Sequence, residues 1–93
     1  MRALAREDHT ALFMDIQRAV DGISKQGLEE AHKKDVEVQG RHGVKFIDYW
    51  YSEEQRAVFC LCDAPNKAAA EAVHREAHGD EADEVIEVQR GAR

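Results

Sequence analysis

Two sets of ionisable side chains stand at helical spacing in this 93-residue chain. Glu71, His74 and His78 are spaced i, i+3, i+7. At about 100° per residue they fall within roughly 60° of one another on a helix. Two imidazoles at i, i+4 project from adjacent turns and can share one borderline cation such as Ni, Zn, Co or Cu. Glu71, one turn earlier, is placed to be a third ligand or to orient His74 from behind. The competing reading is a solvated helix flank. Arg75 follows His74, so the HExxH motif of zinc proteases is absent.

The second set lies upstream. In residues 24–39 the apolar Leu28, Ala31, Val36 and Val38 spread over a broad helical arc, and its middle is held by Leu28, His32, Asp35 and Gln39. An unpaired polar group on a core-facing stripe is costly. Either the three satisfy one another or they face a site. In the first case Asp35 accepts from His32, and Gln39 caps a strand edge or a backbone group. In the second they form part of a shell for a metal or small ligand between helices. A His–carboxylate pair can also act as a general base. No serine, cysteine or second acid stands where it would complete a catalytic set, so no catalytic residue is assigned.

The remaining candidates have bland readings. His42 ends a helix, where the dipole favours an imidazolium. His9 lies in the polar start. Cys60 and Cys62 stand two apart, which on a strand points both to one face and prevents a bridge between them. They read as buried thiols in a reducing compartment, with a thiolate metal site the lesser alternative. Trp50, between Tyr49 and Tyr51, reads as core or subunit interface. The acidic run 80–84 reads as a solvated turn close enough to His78 to lend oxygen ligands.

The elements that must position these residues follow in order. Residues 10–17 form an apolar strand. Asp21-Gly22 turns the chain, and Ser24 caps a helix running to about residue 39 or 41. Gly40 and Gly43 bracket its end. Residues 44–51 form a second strand, rich in aromatic and β-branched side chains. Residues 52–55 make a hairpin loop, and 57–63 a third strand. Pro65-Asn66 opens a helix over 67–78, which stops at Gly79. Residues 84–89 form the last strand. The order β-α-β-β-α-β predicts a ferredoxin-like α+β sandwich, an antiparallel sheet with two helices on one face. The helices then run side by side, which can bring His32 and His74 within reach. Residues 10–90 make one domain, between a flexible tail at 1–9 and a short one at 91–93.

Alternation in the strands sets Phe46 and Trp50 against Ile47, Tyr49 and Tyr51. Likewise Val58, Cys60 and Cys62 oppose Phe59 and Leu61, and Leu12, Met14 and Ile16 oppose Phe13. Both sheet faces are therefore apolar, while helices cover only one. A second copy packed sheet to sheet is expected on the other, as an isologous homodimer.

Composition narrows the function classes. Hydrophobic residues are 43% and charged residues 34%, with a net charge of -6. No Lys/Arg cluster interrupts that charge, which argues against nucleic acid and anionic membranes and mildly favours cations. No apolar run reaches the length of a membrane span. The start is polar, without the apolar stretch of a secretory leader, so a cytoplasmic location is expected.

The segments 31–39, 43–46, 49–50, 58–61 and 64–65 resemble a small bacterial family. The resemblance is strongest at 72–79 (Ala-Val-His-Arg-Glu-Ala-His-Gly) with 82–86, and covers about residues 10–89. The family was long catalogued as a domain of unknown function and is now described as nickel-binding, ferredoxin-like and dimeric. The resemblance implies nickel at surface sites, for sequestration or detoxification. It implies His32, His74 and His78 as ligands, with Asp35 and Glu71 as nearby carboxylates. Members often carry a fifth strand, for which 90–93 is short. Imidazole and carboxylate suit Ni(II), although the affinity order alone places Cu(II) above it. The alternative function is a dimeric α/β-barrel enzyme or a protein binding haem or another small ligand, using a cleft lined by His32, Asp35 and Trp50.

Overall fold

The computed structural model describes residues 10–79 and 82–91. The expected tails at 1–9 and at 92–93, His9, and Asp80 and Glu81 of the acidic run lie outside these residues. Strand β1 spans Ala11–Gln17, helix α1 Lys25–Gln39, β2 Lys45–Ser52, β3 Ala57–Ala64, α2 Lys67–His78 and β4 Glu84–Val88. The four strands form one antiparallel sheet in the order β2-β3-β1-β4. With two helices this is the β-α-β-β-α-β arrangement expected of a ferredoxin-like α+β fold.

Local chemistry fixes the helix ends. Ser24 accepts a hydrogen bond from the Gly27 amide at 3.0 Å, and Asn66 accepts one from the Ala69 amide at 2.8 Å. Helix α1 tightens into a 3-10 turn at Gly40–His42 and ends on Gly43 at φ 70°. Gly79 closes α2 at φ 83°, a left-handed position that favours glycine.

The core lies between the helices and the sheet. Phe13 from β1, Phe46 from β2 and Cys62 from β3 pack with Val44, Val73 and Val85. These residues share one sheet face because Phe13 pairs with Cys62, and Cys62 with Phe46. Cys60 and Cys62 point to that face together, as their spacing requires.

Strand β2 departs from simple alternation. Its register with β3 shifts between Phe46 and Asp48, so Ile47 is the extra residue of a bulge. Beyond the bulge the parity reverses. Tyr49, paired with Cys60, lies on the helix side with Phe46. Trp50, paired with Phe59, lies on the opposite face and is 49% exposed. The expectation that Phe46 and Trp50 share a face is corrected by this one inserted residue. Trp50 therefore does not line the cleft between helices and sheet.

Candidate metal centre

The inward stripe of α1 is the origin of the site. Leu28, Ala31, His32 and Asp35 face the sheet, while Val36 is exposed. Gln39, one turn on, accepts a 2.9 Å hydrogen bond from the Phe46 amide through Oε1. That is the backbone cap its position predicted. The stripe thus spends its most inward positions on one leucine, one alanine and two ionisable groups. These do not fill the space above the sheet, and a cavity of about 240 Å³ remains. Pockets that bury drug-sized ligands run to roughly 300–1,000 Å³, so this cavity is smaller than is usual for an organic ligand.

His32, Asp35, His74 and His78 all line this cavity. Glu71 is half-buried and does not line it. Asp35 is buried and accepts a hydrogen bond from His78 Nε2 at 2.9 Å. The network reading had Asp35 accepting from His32; the register of the two helices gives it His78 instead. The His74 and His78 rings stand edge to face with centroids 4.9 Å apart. His74 is buried rather than on a solvated flank, and its Nε2 is hydrogen-bonded by the Gln17 side-chain amide. His32 lies 4.9 Å from the Tyr49 ring at a tilt of 31°. Its Nδ1 is buried with no hydrogen-bond partner, a condition that costs about 1–3 kcal/mol where it persists.

Beneath the cavity Asp15 is 2% exposed, and one carboxyl oxygen, Oδ1, lacks a partner. Burial pushes its pKa up to about 7, reinforced by the charge on Asp35, while the Cys60 thiol and His78 pull the other way. The Cys60 thiol is raised far above its ordinary range, first by burial and then by Asp15 and Asp35. Cys62 is pushed up to about 12 by burial and the same carboxylates with Asp63. Neither thiol supplies a thiolate near neutral pH.

As the side chains stand, no three His, Cys, Asp or Glu groups among the described residues converge on one point. The Asp35–His78 pair is a ready two-donor unit, and His32 lines the same cavity. Their chemistry suits a late divalent ion. A third donor requires a ring rotation or water. The other acidic and imidazole candidates are engaged elsewhere. Asp83 and Glu84 bind Arg18, each at 2.6 Å. His42 Nε2 donates to Glu76 at 2.8 Å, and that bond, with Arg41 nearby, holds the Glu76 carboxyl below its usual range.

Tyr49, Gln17 and Asp15 were not among the site residues expected. Asp15 and Gln17 were detectable, because they share strand parity with Phe13. Tyr49 was hidden by the bulge.

Among the described residues, no helix is long and apolar enough to cross a membrane. No curated protein matches the chain. Its structure is similar to the crystal structure of SCO4226 from Streptomyces coelicolor A3(2), with a TM-score of 0.82. The two are 35% identical, over 88% of this chain and 100% of that one. The family model described as nickel responsive protein SCO4226-like matches residues 13–88. The chain belongs to the SCO4226-like family of nickel responsive proteins.

Proposed function

We propose that the chain holds Ni(II), or another late divalent ion such as Zn, Co or Cu, as cargo for sequestration or homeostasis. The observation that carries this reading is the Asp35–His78 pair at a cavity also lined by His32 and His74. An octahedral ion with bonds of about 2.1 Å sets neighbouring ligands about 3 Å apart. Asp35 Oδ1 and His78 Nε2 are 2.9 Å apart. A cation can take the place of the shared proton there with little movement of either side chain. His32 and His74 supply further imidazoles by turning within the cavity, and water completes the shell. Glu71 does not line the cavity and is left outside this ligand set. The family's nickel-responsive name supports the choice of metal; the donor set itself also suits copper.

The same reading includes a cytoplasmic homodimer formed across the uncovered sheet face. Trp50 and Ile86, at 49% and 44% exposed, support it, as an apolar surface of this kind favours a partner.

Titration calorimetry of chelator-stripped protein with Ni(II) tests the metal reading. About one ion per chain is expected, with binding lost in the double variant His74→Ala, His78→Ala. An unchanged isotherm in that variant rejects it.

A further inference from the structure

We propose that Gln17 is a positioning residue for the metal site: its side-chain amide holds His74 off the ion, which recruits that imidazole only by displacing the amide. This rests on the metal reading above and adds the order in which the donors become available. Asp35 and His78 bind first, and His74 joins as Gln17 leaves.

The two imidazoles of α2 are held in different ways. Gln17 is the last residue of β1 and shares a strand face with Phe13 and Asp15, toward the helices. There it lines the cavity, and its amide nitrogen meets the Nε2 atom of the buried His74, 57 positions away in sequence. His78 Nε2 is bonded instead to Asp35. A carboxylate is itself a ligand, so an ion replaces the proton between Asp35 and His78 without separating them. The Gln17 N–H has no lone pair to offer a cation. At His74 Nε2, the amide and the ion are therefore alternatives.

The other ring nitrogen gives no way round. His74 Nδ1 is sealed from solvent, so an ion reaches this ring through Nε2. Distance does not hold the ring back either. Two imidazoles on neighbouring positions of an octahedral ion, with bonds of about 2.1 Å, set their centroids roughly 4.5 Å apart. The His74 and His78 centroids are 4.9 Å apart. What stands between His74 and a shared ion is its bond to Gln17.

The test uses the full isotopically labelled chain at mildly alkaline pH, first in EDTA and then with Zn(II) alone as a diamagnetic probe. In EDTA the nitrogen shifts of the His74 ring should place its proton on Nδ1, with Nε2 accepting from Gln17. Saturating Zn(II) should move Nε2 to a metal-bound shift and return the Gln17 side-chain amide to a solvent-like one. In calorimetry, Gln17→Leu should bind Zn(II) and Ni(II) about 3–10-fold more tightly than wild type, the worth of one hydrogen bond. Gln17→Met, which also lacks the donor, serves should the leucine variant not fold. The proposal is overturned by a proton on His74 Nε2 in EDTA, by a Gln17 amide unmoved at saturation, or by equal or weaker binding in a folded variant. Binding by wild type with no gain in the variant strikes the role of Gln17 alone. Absence of binding in both proteins rejects the metal reading with it.

Discussion

Asp35 and His78, 43 positions apart in sequence, meet through a 2.9 Å hydrogen bond that ties α1 to α2 at the rim of a cavity. The carboxylate is buried and the imidazole mostly so. The pair therefore has two consequences, one for stability and one for cation binding.

Asp35→Ala removes a charge-assisted bond and leaves the imidazole facing an emptied pocket. A loss of about 1–3 kcal/mol is expected in urea unfolding in EDTA. The isosteric Asp35→Asn keeps the shape but weakens attraction for a cation. Nickel affinity is expected to fall about 10–100-fold in a calorimetric titration. Equal affinity in wild type and Asp35→Asn would remove Asp35 from the site.

Asp15 makes stability depend on pH in an unusual direction. Its folded-state pKa of about 7 lies above the ordinary 3.8. The folded state therefore binds this proton more tightly than the unfolded state. Its contribution is complete below pH 3.8 and fades as pH rises to about 7. Asp35, His78 and Cys60 are the groups that shape this titration. Between pH 5 and 8 the wild type should lose about 2 kcal/mol more than Asp15→Asn. Urea unfolding of both proteins at the two pH values measures the difference, and parallel pH profiles would contradict it.

The two thiols should be inert in the folded protein. Burial and neighbouring carboxylates hold both far above their ordinary range, and the thiolate is the reactive form. A thiol–disulfide colour reagent at pH 8 is expected to label neither quickly, and to label both once guanidinium unfolds the chain. Rapid labelling of Cys60 in the native protein would show that the cavity floor opens to solvent.

Trp50 tests the subunit arrangement. Replacing it by glutamate places a charge on the sheet face opposite the helices, at edge strand β2. Trp50→Glu should convert a dimer to a monomer in sedimentation equilibrium with the helix signal in circular dichroism intact. A monomeric wild type, or a variant that still dimerises, argues against the sheet-to-sheet interface.

The sequence by itself determined the fold, because its instructions are local. Ser24 and Asn66 cap the helices through bonds to amides three residues on. Gly43 and Gly79 end them at backbone angles that other residues resist. Strand parity placed Phe13, Cys60 and Cys62 on one face, and helical periodicity turned His32, Asp35 and Gln39 inward. What only the tertiary structure decided is which inward group meets which. Asp35 pairs with His78 rather than His32 because the sliding register of two packed helices depends on the whole core between them. Tyr49 entered the site and Trp50 left it because a single bulged residue, Ile47, reverses every later side chain of β2. The cavity is likewise a remainder, left where small and polar side chains from two helices fail to fill the space above the sheet. No single segment of the chain encodes its volume, since that volume is the difference between the distance the packed core imposes and the length of the side chains that reach across it.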